Sequence, residues 1–594
     1  MTDKPNSKQA IVLSRQSPSE REFRLCRILE FFGVPYETHC LSDLGKTGTE
    51  FSSKLEPYAI LGPVDAFDEI LKAGEDGARL VGSAGAVYVY STEDRSFCEK
   101  ALESLLEFPI SYREKPYDES VLLTVTSDFP DLTGPMTGVE LSTSPGQPDF
   151  AFLPAGEGSK FISLITAGRM PVFSVSRIGS TPIFFAASDQ IVDLDAPITE
   201  GYYDIKKDFY SAVPLVMFLK YVFAQVIWQP VEHGACLIID DPLLKSRYGC
   251  CDFRQLLHLM KTHRFTTNIA FIPWNWRRTS KKQASFFRRE VDHFSISIHG
   301  CDHIAAEFGF AGVRELSAKA RLAQTRMRAH QDRSGIRHEP VMVFPQGVFS
   351  ESCPEVLKQA GYIAAVNTEV SPAGNTSNKT QLRDVWDTAI TRFVSFPIFT
   401  RRYAHHGLEN FAFDLLLGKP CLVVAHHEFF KNKGQALLEL VESLSSLRCN
   451  LQWRSLGEVL RRACRHRIDD SGIHEYRMYA QEVRIENESP DMAIYHVRKR
   501  EDEPSLIKVV EAGQDELEWK ASGGYIEFAK SIPGGEGLLI RFVCKTAIEN
   551  NLPKQSIKYQ LYVAARRVLS ELRDERMFFA DQLKRMVGIE RRSC

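Results

Sequence analysis

Two short motifs supply side chains that could hold a catalytic metal ion. Asp240 and Asp241 are adjacent carboxylates, and His299 and His303 are imidazoles four residues apart. Two imidazoles and one carboxylate form a three-ligand set, which leaves coordination positions open for water and substrate. Open positions are typical of a catalytic metal site rather than a structural one. The two motifs together therefore indicate a metal ion that acts on a bound substrate.

Each motif follows an apolar run that predicts a buried strand, over 235–239 and 295–298. We predict that His299 and His303 lie on one face of a helical turn, because positions i and i+4 of a helix are neighbours. Taken singly, an Asp pair is more often a solvated turn, and a His pair a surface or core feature. The combination favours a site, because residues at the carboxyl ends of α/β-barrel strands converge on one mouth.

The segment 235–465 resembles the NodB-like polysaccharide deacetylases. That family has an Asp-Asp pair after a strand as its first motif and His-(Ser/Thr)-x-x-His as its second. The resemblance implies a distorted (β/α) barrel and a metal-dependent N-deacetylase. It also implies that Asp241, His299 and His303 are the metal ligands and that Asp240 is the general base.

A histidine after a late strand is the expected general acid. The predicted strand over 421–425 runs into His426 and His427, which resembles the last motif of the family. Side chains alternate along extended backbone, so only one of the two can face the mouth. We favour His426, because it follows the strand directly, and keep His427 as the alternative.

The third family motif, Arg-x-Pro-x-Gly, is matched only in part by 344–347. Met342 or Val343 stands where the family has the arginine that steadies the catalytic aspartate. Three other arginines could take its place: Arg277, Arg278 and Arg401. Without such a replacement, the orientation of the base has no explanation.

Two further departures concern the first and second motifs. Pro242 stands where the family has Gly, and Gly300 stands where it has Ser or Thr. Such changes are expected of a divergent subgroup, an altered substrate or lost activity.

Several neighbours could contribute to the site or only to packing. Trp274 and Trp276 follow a predicted strand and could stack on sugar rings, or one could pack inside and one outside. Asp302 and Glu307 could hydrogen-bond an imidazole as outer partners of the metal site, or be surface acids of a helix.

The wider pattern predicts an α/β protein with three parts. Alternating strands and helices indicate an accessory open α/β domain over 1–205, flavodoxin-like in spacing. About eight strands with helices between most of them indicate the barrel over 206–466. Alternating runs with Gly-rich turns indicate a small β-domain, followed by a terminal helix, over 467–594. No dinucleotide or P-loop motif is present.

Composition limits the other function classes. The 594 residues carry a net charge of −3, so nothing in the overall charge favours nucleic acid or an anionic membrane. The apolar run 212–228 contains Lys220 and is predicted to be a buried or interface helix rather than a membrane span. The 13 scattered cysteines, together with a polar N-terminus that lacks an apolar signal stretch, favour the cytoplasm.

The expected function is therefore removal of acetyl groups from an N-acetylated sugar or polysaccharide precursor. The expected cofactor is Zn²⁺, with Co²⁺, Fe²⁺ or Mn²⁺ also compatible with the ligands. Two alternatives stay open: a glycoside hydrolase that uses Asp240 or Asp241 with a second carboxylate, and an inactive barrel that binds glycans or serves as a scaffold. The sequence does not fix the oligomeric state.

Overall fold

The computed structural model of the chain describes residues 9–42, 58–72, 74–114, 120–143, 150–154, 161–310, 312–374, 379–469, 471–545 and 555–586. None of the helices in these ranges is both long and apolar enough to cross a membrane. The apolar run 212–228 lies largely in a helix whose side chains are mostly buried, as predicted.

The N-terminal part contains eleven strands and five helices among the described residues. In chain order they are β1 (Ala10–Ser14), α1 (Glu20–Phe32), β2 (Tyr36–Cys40), β3 (Ala59–Pro63), α2 (Val64–Lys72), α3 (Glu75–Ser83), β4 (Ala86–Tyr90), α4 (Arg95–Leu106), β5 (Ile110–Glu114), β6 (Leu122–Val125), α5 (Pro130–Thr133), β7 (Glu140–Ser142), β8 (Phe150–Pro154), β9 (Ile162–Ala167), β10 (Met170–Ile178) and β11 (Thr181–Ala186).

Nine of these strands form one open sheet in the order β2-β1-β3-β4-β11-β10-β9-β6-β7. The pairings from β2 to β11 are parallel, and those from β11 to β7 are antiparallel. Strands β1, β3 and β4 are buried along their whole length, which explains their continuous apolar runs. The order β2-β1-β3-β4 is the one with which flavodoxin-like sheets begin; the flavodoxin-like domain stays a prediction.

The central part holds the barrel and the helices around it. Its elements are α6 (Phe209–Val222), β12 (Gln229–Pro230), β13 (His233–Asp240), β14 (Arg247–Tyr248), β15 (Cys251–Asp252), α7 (Phe253–His263), β16 (Thr267–Phe271), α8 (Lys281–Arg289), β17 (Phe294–His299), α9 (Val313–Ser334), β18 (Val341–Val343), α10 (Cys353–Gln359), β19 (Ala364–Asn367), α11 (Leu382–Trp386), β20 (Ile398–Thr400), β21 (Arg402–Tyr403), α12 (Leu408–Leu416), β22 (Cys421–Ala425), α13 (Gln435–Ser446), β23 (Leu451–Trp453) and α14 (Leu456–Arg462).

Eight parallel strands make the barrel wall in the order β20-β19-β18-β17-β16-β13-β22-β21, and β23 also pairs with β13. β20 and β21 stand at opposite ends of this order but follow each other along the chain, with Arg401 alone between them. We call this point, where the chain passes from one end of the strand order to the other, the seam. The predicted fold class, a distorted (β/α) barrel with additional α/β and β parts, is confirmed.

The sequence also predicts barrel strands over 393–398 and 450–456, and both predictions are wrong in detail. The predicted strand 393–398 is mostly a turn, in which Val394 and Ser395 have positive φ, and β20 begins only at Ile398. The two-residue strand β21 was not predicted. The predicted strand 450–456 is the short β23, which pairs beside β13 and does not extend the wall.

The C-terminal part contains two packed sheets and a long helix. Its elements are β24 (Arg465–Ile468), β25 (His474–Met478), β26 (Glu482–Glu486), β27 (Ala493–Arg500), β28 (Ile507–Ala512), β29 (Asp515–Glu516), β30 (Lys520–Ser522), β31 (Tyr525–Ile532), β32 (Gly537–Cys544) and α15 (Ile557–Met586). The sheets have the orders β12-β24-β25-β27-β31-β30 and β26-β32-β28-β29, and their inner side chains share one apolar core. The division at 205/206 and 466/467 stays a prediction; β24 spans the second of these points.

Candidate metal centre

The Asp pair stands at the carboxyl end of β13, in the middle of the barrel wall. Asp240 is the last residue of this buried strand. Asp241 follows with a φ of +77°, a left-handed conformation that is uncommon for a residue other than glycine. This turn gives the two neighbouring carboxylates different partners: Asp240 faces an arginine, and Asp241 faces two histidines.

His299 and His303 both reach Asp241. The Nε2 atoms of His299 and His303 lie 3.4 Å and 2.9 Å from Oδ1 of Asp241, and their ring centroids are 4.8 Å apart. The prediction that one helical turn aligns them is wrong. His299 ends β17, and a loop with positive φ at Gly300 (+64°) and His303 (+57°) folds the second ring back towards the first.

The same loop explains why glycine stands at position 300. A Cβ at Gly300 would lie 2.4 Å from Cγ of Pro345 and 2.5 Å from Oε2 of Glu307. Both the backbone conformation and the lack of space exclude a larger side chain. The departure from the Ser or Thr of the second motif is therefore a requirement of this loop.

Glu307 holds the loop through its backbone. Its buried carboxylate accepts hydrogen bonds from the amides of Cys301, Asp302 and His303, at 2.9, 2.8 and 3.0 Å. Asp302 in turn accepts hydrogen bonds from Arg326, from Gln555 just before α15, and from Tyr559 in the first turns of α15. The expectation that one of these acids hydrogen-bonds an imidazole is not met among their described bonds. Both acids instead hold the backbone of the loop that carries His303.

The three predicted ligands fit a divalent cation. One ligand atom from each of Asp241, His299 and His303 lies within 4.8 Å of the others. Oδ1 of Asp241 is buried and makes no well-aligned hydrogen bond. His299 donates through Nδ1 to the carbonyl of Val343 at 3.0 Å, which leaves the Nε2 lone pair directed at Asp241. This donor set suits Zn²⁺ and its first-row neighbours.

A second acidic cluster nearby does not fit a metal ion as well. Cys301, Asp302 and Glu307 also offer atoms within 4.8 Å of one another. The oxygens of the two acids, however, are already engaged by amides and by Arg326. Burial raises the pKa of the Cys301 thiol well above its ordinary value, which disfavours the thiolate that a metal requires.

Of the three candidate arginines, Arg401 is the one that contacts Asp240. Its two terminal nitrogens each donate to one oxygen of Asp240 at 2.7 Å, and both side chains are almost fully buried. Arg401 lies in the seam, between β20 and β21. Burial alone would raise the pKa of Asp240, but the charges of Arg401, His299 and His426 and the bonds from Arg401 hold that pKa below its ordinary value.

The other two candidate arginines are elsewhere. Arg278 forms an ion pair with Glu571 of α15, and Arg277 lies 4.0 Å from the ring centre of Trp276. Trp274 in turn lies under Arg326, 5.0 Å from its guanidinium carbon. Both indole rings thus have cationic partners from the protein, and the prediction that they stack on sugar stays a prediction.

The two histidines that could act as the general acid have different surroundings. His426 follows β22 at the mouth, where its charge lowers the pKa of Asp240 and its ring lies 6.0 Å from that of Tyr403. His427 is buried and turned away: its Nε2 lies 3.4 Å from Asp574 of α15, and its ring packs edge-on against Tyr248. Of the two, the structure brings His426 towards the carboxylate pair.

Several contributors to the site carry no motif in the sequence. Arg401 was only one of three candidates, and Asp574 was not singled out. Asp574 accepts a 2.7 Å hydrogen bond from the hydroxyl of Tyr248. Burial and the nearby negative charges raise the pKa of the Tyr248 phenol. The charge of Asp241 is among the causes, so Tyr248 belongs to the surroundings of the metal ligands. Long-range pairings such as these have no local sequence signal.

No protein-family model and no curated protein matches the chain. Among solved structures it is similar to the carbohydrate deacetylase Agd3, at 8% identity and a TM-score of 0.49, over 90% of this chain and 98% of that chain. A putative polysaccharide deacetylase from Mycobacterium smegmatis matches at 14% identity and a TM-score of 0.27, over 39% of this chain and 92% of that one. A family 4 acetyl xylan esterase from Clostridium thermocellum, solved with a cobalt ion, matches at 11% identity and a TM-score of 0.24, over 38% of this chain and 90% of that one. The predicted resemblance is confirmed, and at these identities it concerns the fold alone.

Proposed function

We propose that this protein is a metal-dependent carbohydrate N-deacetylase. One observation carries the proposal: a carboxylate and two imidazoles converge at the mouth of the barrel, beside a second carboxylate held by a buried arginine. Asp241, His299 and His303 are the proposed metal ligands, and Zn²⁺ is the proposed ion. A divalent ion bound there would lower the pKa of a water molecule and polarise the acetamide carbonyl.

Asp240 is the proposed general base. Its low pKa keeps it ionised at neutral pH, so it can accept a proton from the attacking water. Arg401 positions both carboxylate oxygens, because its planar fork bonds them together. His426 is the proposed general acid: it gives its proton to the sugar nitrogen as the carbon–nitrogen bond breaks, which releases acetate and a free amine.

The carbohydrate substrate is supported by the names of the similar structures, which include a carbohydrate deacetylase and a polysaccharide deacetylase. We further propose a cytoplasmic setting. All twelve cysteines in the described part of the chain are unpaired, which is usual where thiols are kept reduced. A soluble or lipid-linked amino sugar would be a substrate available there.

A glycoside hydrolase is the second enzymatic candidate, but its chemistry fits the site less well. It needs one carboxylic acid that carries a proton and one free carboxylate. Asp240 is held ionised by Arg401, and histidines hold the pKa of Asp241 well below its ordinary value. Neither group is suited to donate a proton near neutral pH, so a glycoside hydrolase would need a further carboxylic acid at this site.

The test combines metal analysis with an acetate-release assay on N-acetylated sugars and oligosaccharides. We expect wild-type protein to bind about one divalent ion and to release acetate without new reducing ends. We expect His303→Ala to lose both, and Asp240→Asn to keep the metal but lose at least about 100-fold in rate. His427→Gln, which alters the histidine turned away from the mouth, should retain turnover.

Three results would count against the proposal. New reducing ends would indicate a glycosidase. Stoichiometric metal with no turnover on any acetylated sugar would indicate a binding protein. Unchanged metal content in His303→Ala would remove that residue from the ligand set.

A further inference from the structure

The C-terminal helix α15 lies against the barrel with its polar side inward. The buried side chains that face the barrel include Arg567 and Asp574, and Val563 one turn before Arg567. Tyr559, one turn before Val563, donates to Asp302 at 2.8 Å. An amphipathic helix on a globular protein normally buries its apolar stripe instead, so this helix is inverted.

The apolar side chains of α15 face solvent. We call them the outer face: Ile557, Leu561, Tyr562, Val568, Leu569 and Leu572. Their exposed fractions range from 49% for Leu572 to 77% for Ile557. Spacings of three, four and seven residues place them in neighbouring rows along one side of the helix. A continuous exposed apolar surface of this kind marks an interaction site.

Basic residues lie along one border of the outer face and at its two ends. Lys558, Arg573 and Arg576 are exposed and Arg566 is half-buried, and all four lie three or four residues from an outer-face residue. Glu575 is the one exposed acid in the described side chains of this helix, because Glu571 is turned towards Arg278 of the barrel. Four positive charges against one negative charge contrast with the −3 of the whole chain.

We propose that the outer face of α15 docks on an anionic lipid surface. A helix with large aliphatic and aromatic side chains on one side and flanking lysine and arginine can lie in the plane of the headgroups. The apolar residues enter the acyl boundary, and the basic flank pairs with acidic headgroups. A second copy of the chain is a poorer occupant, because self-association would bring two basic flanks together.

Docking by this face would hold the metal site close to the lipid surface. The inner side of α15 contacts the rim of the mouth at two points, through Tyr559 to Asp302 and through Asp574 to Tyr248. The helix and its side chains are about 10 Å across, so the rim would lie roughly that far from the headgroups. This inference does not depend on the proposed reaction, since it concerns binding only.

The test is vesicle co-sedimentation of the full-length protein. We expect binding to mixed phosphatidylcholine and phosphatidylglycerol vesicles, little binding to phosphatidylcholine alone, and weaker binding in high salt. Leu561→Glu/Leu569→Glu and Lys558→Glu/Arg576→Glu should each lower the affinity by at least about tenfold. Met492→Glu and Lys508→Glu change equally exposed positions on the β-sandwich and should bind like wild type.

All of these positions are exposed, so the variants should keep the wild-type circular dichroism spectrum and melting temperature. Failure of the wild-type protein to bind anionic vesicles would overturn the proposal. So would equal binding by the outer-face variants. Concentration-dependent dimers that Leu561→Glu/Leu569→Glu abolishes, without vesicle binding, would assign the face to a second copy instead.

Discussion

At the scale of single residues, the site is organised by which carboxylate meets which partner. The positive φ of Asp241 separates it from Asp240, so one acid faces two imidazoles and the other a guanidinium. Two adjacent carboxylates would otherwise resist joint ionisation. Here the pKa of each is held below its ordinary value, against the effect of burial: Arg401 acts mainly on Asp240, His303 on Asp241, and His299 on both.

Arg401→Met should destabilise the protein, because it leaves the carboxylate of Asp240 buried and unpaired. We expect a loss of about 3–5 kcal/mol in the free energy of unfolding, measured as a shift in the urea transition. Arg401→Met/Asp240→Asn should recover part of that loss, since no buried charge remains. Arg278→Met removes the more exposed ion pair with Glu571, so it should lower the free energy of unfolding by less than about 1 kcal/mol. Equal losses for the single and double variants would contradict this account.

At the scale of elements, the loop after β17 replaces a predicted helical turn. A spacing of four residues brings two imidazoles together in a helix, but the left-handed residues Gly300 and His303 achieve the same result in a loop. Pro345 packs against Gly300, and Glu307 binds three amides of the loop. The position of His303 is therefore set by backbone conformation.

Gly300→Ala should displace this loop and weaken metal binding. The added methyl group would meet Pro345 and Glu307, and the left-handed backbone adds about 1–2 kcal/mol of strain. We expect the affinity for Zn²⁺, measured by competition with a chromophoric chelator, to fall by about 10–100-fold. Gly472→Ala is the matched control: its φ is +78°, but a Cβ there would meet no atom within 4 Å. Gly472→Ala should lower the free energy of unfolding and leave the affinity for Zn²⁺ unchanged.

The limits of sequence-based prediction are visible at this scale. The strands that carry Asp240 and His299 could be predicted, because buried parallel strands are continuous apolar runs whose carboxyl ends meet. Arg401 could be named only as a candidate, since it lies between strands of three and two residues and contacts a residue 161 positions away. The contacts of Asp574 depend on tertiary docking of α15, which no local pattern encodes.

At the scale of the whole molecule, a buried charged cluster joins the barrel to the C-terminal sheets. Lys358 of α10 donates to Glu501 at 2.6 Å, and Lys499 of β27 lies 3.5 Å from the same carboxylate. All three side chains are at most 1% exposed. Burial lowers the pKa of Lys499 to about 8, despite the opposing charge of Glu501.

Glu501→Gln should weaken this connection, because two buried ammonium groups would lose their shared counter-charge. We expect the free energy of unfolding to fall by about 3–5 kcal/mol, measured by urea denaturation with circular dichroism. Asp502→Asn is the control next to it. Asp502 pairs with Arg500 at 3.3 Å in a half-exposed position, and its loss should cost less than about 1 kcal/mol. Similar losses in the free energy of unfolding for both substitutions would show that the cluster does not stabilise the connection between the barrel and the C-terminal sheets.

The seam has one more consequence. Arg401, which joins β20 to β21 along the chain, reaches with its guanidinium to the carboxylate of Asp240 at the end of β13. Such a contact weakens when its carboxylate becomes neutral, and Asp240 becomes neutral whenever it accepts a proton. If Asp240 is the base, each catalytic cycle would weaken and restore the contact that ties β13 to the seam, so this pair of side chains would take part both in the reaction and in holding two parts of the wall together.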